Sequence, residues 1–238
     1  MGRAIHAGKR IMAEFGAFAE TANVAFLLAF PSLFSIINPI GGALIFSVYT
    51  RAFPHPERLK IAGLVGLYSL AIMFCALWGG AYVLNFFGVS LDALRIAGGL
   101  VVALNGWNLL SSGDQHPDRR TGDPAPAAGD DWKQVAFFPL TLPFTTGPGT
   151  IAVAITLGAE RPRESAQALA FFIGATLAAI ANAAIVWIAY RFADRLTAVM
   201  GATARQVVTR LSAFLLMCIG VQILVTAVGD LVVKWRGM

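Results

Sequence analysis

Charged residues withdraw from six windows of the chain: 21–50, 61–91, 96–113, 134–159, 165–190 and 211–229. Each holds the roughly 17–25 apolar residues that a helix needs to cross a bilayer core. The pattern predicts an all-α, polytopic membrane protein with six transmembrane helices. A polar stretch rich in proline and glycine, Ser111 to Asp131, divides the windows into two groups of three. The expected organisation is an N-terminal extension at 1–20, a first three-helix unit at 21–110, a linker at 111–133, a second three-helix unit at 134–233 and a short tail at 234–238. In the extension, Ile11, Phe15, Phe18 and Ala22 recur at helical spacing beside Lys9 and Arg10. That spacing suits an amphipathic helix on the membrane surface, and a frayed tail is the alternative. The extension lacks the apolar core and cleavage site of a signal peptide, so it is expected to be retained.

Two windows carry the residues least suited to an unbroken membrane helix. Asn38-Pro39-Ile40-Gly41-Gly42 lies in the first, and Thr146-Gly147-Pro148-Gly149-Thr150 lies in the fourth. Proline removes a backbone donor and clashes with the preceding turn, while glycine favours non-helical backbone. Helices 1 and 4 are therefore predicted to be broken. Irregular backbone at membrane depth is tolerated where it is buried in protein or lines a watery cavity. A pair of interruptions at corresponding places in two halves of a chain is the sequence pointer to a transporter's binding site. The competing explanation is a pair of proline kinks with glycines for helix packing.

The halves are loosely similar around these motifs. Pro39 and Pro148 are 148 − 39 = 109 positions apart, and the Gly106 region resembles the Gly220 region at 220 − 106 = 114. A unit with an odd number of spans enters the membrane from opposite sides in its two copies, so the halves should be inverted repeats. With the N-terminus outside, the inner segments hold ten basic residues and the outer ones five, leaving aside the tail's three. The positive-inside rule then favours both termini outside and a cytoplasmic linker.

Composition agrees with a membrane protein and narrows its chemistry. The 238 residues are 57% hydrophobic and 13% charged, with mean hydropathy +0.69. The net charge of +5 resides between the windows, which fits topology and anionic lipid, and no nucleic-acid partner is expected. Cys75 and Cys218 lie inside apolar windows, as small buried thiols do. No Asp, Glu, Lys, Arg or His falls inside any window. A proton relay in the spans thus has no titratable side chain, which leaves uniport, sodium coupling through carbonyls and hydroxyls, or protonation of the solute itself. No Ser/His/Asp set, paired carboxylates or metal-ligand spacing appears in the spans, so no catalytic residue, metal site or cofactor is expected. His116 with Asp114 and Asp118 reads as part of a solvated loop, with weak cation binding as the alternative.

At a mid-membrane break, the second half-helix begins with unpaired N–H groups and a partial positive charge, while the first ends with free carbonyls. The N–H cluster suits a carboxylate and the carbonyls suit an ammonium or cation, so a break can hold a zwitterion without charged side chains. The substrate-binding candidates are Asn38, Pro39, Gly41, Gly42, Thr145, Thr146, Gly147, Pro148, Gly149 and Thr150. Asn105, Asn108, Asn182 and Gln222 are candidates for lining the cavity, with interhelical hydrogen bonding as the alternative for each. A pocket built this way favours a small solute. The partners expected are a small neutral amino acid and the bilayer, and a homo-oligomer is compatible with the chain.

The Asn38-Pro39-Ile40-Gly41 element, the Pro143-Phe144-Thr145-Thr146-Gly147-Pro148-Gly149-Thr150 element and the Arg95-Ile96-Ala97-Gly98-Gly99 segment together resemble the MarC family of bacterial and archaeal inner-membrane proteins. The likeness covers about Phe26 to Gly229. It implies six spans, a relation to the LysE-type superfamily of three-plus-three-helix transporters, and small neutral amino acids such as glycine and alanine as substrates. The charged N-terminal extension and the long linker depart from the usual pattern and leave the motifs intact. A non-transporting assembly or regulatory protein, or a membrane-embedded enzyme, are the other classes to be weighed.

Overall fold

The computed structural model describes residues 2–111, 131–162 and 164–236. Most of the linker expected at 111–133 lies outside the described residues, as does His116. What is described is helical, in the order α1 (Gly2–Ile37), α2 (Pro39–Tyr49), α3 (His55–Phe86), α4 (Leu91–Ser111), α5 (Trp132–Val135), an irregular wide-turned segment (Ala136–Thr145), α6 (Pro148–Ala159), α7 (Ser165–Arg191), α8 (Ala193–Val199) and α9 (Ala202–Arg236). The extension at 2–20 runs without interruption into the first span as part of α1.

Local sequence explains where the helices stop. α1 ends because Asn38 adopts left-handed backbone (φ 47°, ψ 65°) and Pro39 has no N–H to continue the ladder. α2 and α6 each place a proline at the start of the first turn, where the missing donor costs nothing. Between α5 and α6, Phe138 (φ −127°, ψ 125°) and Leu142 (φ −111°, ψ 121°) are extended. Each directly precedes a proline, whose ring excludes the helical conformation from its predecessor.

Four pieces are long and apolar enough to cross a membrane among the described residues: Glu14–Tyr49, His55–Phe86, Ser165–Arg191 and Gln206–Arg236. Trp132–Thr145 and Pro148–Ala159, bent by 67° at the break between them, make a fifth if taken as one span. Six spans were expected. α4 is 21 residues long but is not one of these pieces: Asp92 and Arg95 open it, and Asn105, Trp107 and Asn108 dilute its apolar run.

The helices pack α1 on α7, α3 on both α6 and α7, and α4 on both α9 and α6. Small residues make the contacts close. Ala29, Ala175, Ala178 and Ala179 are fully buried, while Leu27, Leu67, Trp107, Leu177 and Val225 point outward. Such an apolar exterior suits lipid, and close backbone approach is what holds helices together where lipid removes the hydrophobic driving force. Cys75 and Cys218 are free and exposed on that exterior, rather than buried.

Ion pairs gather at two ends of the bundle. At one, Arg58 donates to Asp194 and to the Thr50 hydroxyl (3.0 Å), fastening the start of α3 to α8. At the other, Arg95 pairs with Glu160 and with Asp230 (3.2 Å), and Lys234 pairs with Asp92.

Candidate functional site at the paired helix breaks

The two breaks have different local chemistry. At the first, the Asn38 Oδ1 accepts from the Gly41 N–H (3.2 Å), so the side chain caps the helix that its own backbone begins. Asn38 suits this place because asparagine tolerates left-handed backbone better than other residues with a Cβ. At the second, Gly147 is extended (φ −76°, ψ 179°) and α6 starts with no side-chain cap. The Thr146 N–H is held by the Thr141 carbonyl (2.8 Å), while the Thr146 hydroxyl is fully buried without a hydrogen-bond partner. An uncapped helix start beside an orphaned hydroxyl is a concentration of unspent polar capacity.

Tyr190, near the end of α7, joins the two breaks. Its ring packs at a tilt against Phe46 of α2 with centroids 4.8 Å apart, and its hydroxyl lies directly against Gly42. The same hydroxyl is 2.7 Å from Thr145 Oγ1. Thr145 donates its own proton to the Leu140 carbonyl (2.6 Å), so Tyr190 is the donor in the shared bond. A second contact lies on the other side of the break: a Cβ placed on Gly149 would touch Val102 of α4 and come within 3.7 Å of Ile36 of α1. Glycine is needed there because neighbouring helices fill the space a side chain would take.

Of the residues singled out from sequence, Gly42 and Thr145 thus meet through Tyr190, and Gly149 lies beside the end of α1. Pro39 and Thr150 are buried near them, Gly41 is half-buried under the Asn38 side chain, and Pro148 is exposed. Gly147 approaches the Pro143 carbonyl so closely that a Cβ would sit 2.6 Å from its oxygen. The four outlying candidates disperse. Asn182 is buried between α7 and α1, donating to the carbonyls of Phe30 (3.2 Å) and Ala178 (2.9 Å), which is interhelical bonding. Asn105 and Asn108 are exposed on α4. Gln222 lines a cavity of about 200 Å³ between α4, α6 and α9, together with Arg95, Gly98, Ala152, Thr156 and Thr226.

Sequence reasoning missed Tyr190, Val102 and the role of Arg95. A tyrosine at the end of an apolar window reads as an interfacial anchor, and nothing along the chain says that its hydroxyl turns inward. Arg95 at the start of a window reads as a snorkelling cation for the same reason.

Long apolar helices, an outward-facing apolar surface and interrupted helices packed within the bundle define a multi-pass helical membrane protein. The chain belongs to the MarC family of integral membrane proteins, whose sequence pattern matches residues 23–232. It is 30% identical over 203 residues to a UPF0056 membrane protein of Methanocaldococcus jannaschii, covering 85% of this chain and 95% of that protein. It is also 30% identical over 205 residues to the UPF0056 inner membrane protein MarC of Salmonella typhimurium, covering 84% and 92%. The inner membrane protein MarC of Citrobacter koseri is 29% identical over 208 residues, with the same coverage of 84% and 92%. No solved structure matches the chain.

Proposed function

We propose that the protein is a transporter of small neutral solutes, small amino acids first, in the cytoplasmic membrane. It works by alternating access around the paired breaks, within six spans arranged as two inverted three-helix repeats. The observation that carries the reading is the meeting of the breaks through Tyr190, because a pair of facing interruptions offers amides to a carboxylate and carbonyls to an ammonium group. The uncapped start of α6 and the unpartnered Thr146 hydroxyl add to the carboxylate side.

The packing supports the repeat. Exchanging the halves carries α2 on α7 into α6 on α3, and α1 on α7 into the irregular segment on α3, and both members of each exchange are present. The pairs α3 with α7 and α4 with α9 map onto themselves. The decisive experiment is uptake of a solute panel by the purified protein in liposomes, where accumulation of glycine or alanine above protein-free vesicles is expected. The absence of flux for every solute sinks the transporter reading.

The close fit of Val102 against Gly149 favours a second reading, in which the breaks are packing devices of an assembly or regulatory protein. Tyr190→Phe separates the two. It removes the hydroxyl that donates to Thr145 while keeping the ring on Phe46. One neutral buried hydrogen bond contributes about 0.5–1.5 kcal/mol, so stability should fall by about that amount. In a transporter whose breaks move relative to each other, the solute turnover rate should change by severalfold as well. Unchanged turnover in a variant of lowered thermal stability would assign Tyr190 to packing alone.

The orientation follows from the basic residues of the short segments, with both termini outside and the linker in the cytoplasm. Arg58 pairs with Asp194 at one end of the bundle, while at the other Arg95 pairs with Glu160 and Asp230, and Lys234 with Asp92. Single cysteines introduced at residues 120 and 236, on a background without Cys75 and Cys218, should label from the inner and outer sides respectively. Labelling of position 236 from the cytoplasm reverses the assignment.

A further inference from the structure

The two ends of the bundle differ in how their cations are neutralised. Where α4 starts and α9 finishes, Arg95 is held by Glu160 and Asp230, and Lys234 by Asp92. Where α3 starts and α7 finishes, Asp194 takes Arg58 and His55. At this second end Arg51, Lys60, Lys133, Arg191 and Arg195 are exposed, and among the described residues none of them makes an ion pair. Four of the five stand over aromatic rings instead, Arg191 on Trp187 (5.7 Å to the ring centre) and Arg195 on Phe192 (5.4 Å) among them.

The charges are densest at Trp132. Lys60 of α3 and Lys133 of α5 each bring Nζ to 5.6 Å from the centre of its ring, while the indole itself is half-buried against the core. No carboxylate neutralises them. The Oδ1 of Asp131 accepts from the Lys133 backbone N–H (2.9 Å), and Glu57, one turn before Lys60, makes no ion pair. The antiparallel contact of α3 with α7, where Trp78 donates to Thr176 (3.1 Å) and Gly66 lies against Ala183 and Trp187, brings Arg191 to the level of Lys60. The negative face of a ring attracts each cation but carries no net charge to cancel them. Two ammonium groups on one indole therefore leave a place for an anion.

We propose that Lys60 and Lys133, braced on Trp132, form a binding site for the phosphate of an anionic phospholipid in the leaflet at this end. The ligand chemistry is that of a phosphodiester, which lysine meets as a point charge. Surroundings favour lipid over free phosphate, because tryptophan and unpaired cations at the ends of membrane-length helices lie at headgroup level. Phe137 and Phe138, just after α5, are about half exposed and offer acyl chains an apolar wall. α5 leads through the irregular segment to the second break, so a headgroup shared by Lys60 and Lys133 fastens the start of that segment to α3, against which it packs. The site is independent of the transporter reading.

The test titrates short-chain phosphatidylglycerol and phosphatidylcholine into the purified full chain in neutral detergent, counting bound lipid by native mass spectrometry and following thermal unfolding in parallel. Phosphatidylglycerol should bind and raise the unfolding temperature, and phosphatidylcholine should do much less. Each ammonium near an anionic headgroup contributes about fivefold in affinity, so Lys60→Gln with Lys133→Gln should weaken binding by about tenfold or more and cancel most of the temperature rise. Lys60→Arg with Lys133→Arg should keep both. Because the readout is the lipid-dependent difference within each variant, a lower stability of the variant itself does not mask it. Arg51→Gln with Arg195→Gln removes the same charge from the same end without touching Trp132, and it should retain most of the binding. Equal losses in the two glutamine pairs would show a diffuse attraction to the surface and overturn the site. So would equal binding of phosphatidylcholine, or an unfolding temperature of the parent that phosphatidylglycerol does not move. Inorganic phosphate is the remaining arm. A rise of the same size with it, lost with the same two lysines, would assign the site to a free anion and overturn the lipid.

Discussion

Gly149→Val is expected to abolish solute flux and to lower the stability of the protein in detergent. The position of the new Cβ is already occupied by the Val102 side chain, with Ile36 just beyond it. Overpacking a close-fitted site costs about 1–3 kcal/mol when neighbours must leave their rotamers. Here the clash is with Val102, so the strain falls first on the packing of α6 against α4, beside the end of α1. A double variant, Gly149→Ala with Val102→Ala, should recover much of the loss, because alanine at 102 vacates the space that the new methyl group needs. The measurements are uptake in liposomes at matched protein amount, and thermal unfolding in detergent. Normal flux in Gly149→Val would show that this junction neither moves nor holds solute. Failure of the double variant to recover would place the cause elsewhere than in the Val102 contact.

Asn38 should show an unusual order of severity, with Asn38→Gly milder than Asn38→Ala and Asn38→Val the worst. Left-handed backbone costs a residue with a Cβ about 1–2 kcal/mol, which glycine escapes and asparagine partly escapes. Loss of the Oδ1 cap on the Gly41 amide costs about 0.5–2 kcal/mol for alanine but only a few tenths for glycine. A β-branched side chain at φ 47° adds a clash that neither of the others meets. Thermal unfolding of the three variants should follow that order, and transport should follow it too if the bend at Asn38 positions the site. Were Asn38 mainly a side-chain ligand of the solute, glycine and alanine would impair binding equally and stability would hardly distinguish them. The structure favours the first outcome, because the Oδ1 atom is already engaged by the protein.

The helical breaks were legible along the chain because proline and glycine act locally. A missing N–H and a ring clash change the backbone at the same residue and its neighbours, whatever the helix later packs against. Thus Asn38-Pro39 and Thr146-Gly147-Pro148 mark the interruptions seen, and the apolar windows mark the membrane-length helices. Even the irregular stretch between α5 and α6 follows from Pro139 and Pro143 acting on the residues before them. α4 shows the limit of counting charges alone, since asparagines and a tryptophan weaken an uncharged window without interrupting it.

What the chain could not reveal is which residues meet across helices. Tyr190 lies 45 positions from Thr145 and 148 from Gly42, and only the packing of α7 against α1 and α2 brings its hydroxyl between them. Asn182 looked like Gln222 in one dimension, yet one is buried with its amide N–H groups given to carbonyls of α1 and α7, and the other lines a cavity. Arg95 looked like a membrane anchor until α6 and α9 delivered Glu160 and Asp230 to it. The sequence alone determined a helical membrane chain broken at two places, because hydropathy and backbone preference are properties of adjacent residues. Tertiary structure alone decided how the breaks touch and which polar groups remain unspent, because those depend on the faces that distant helices turn toward one another.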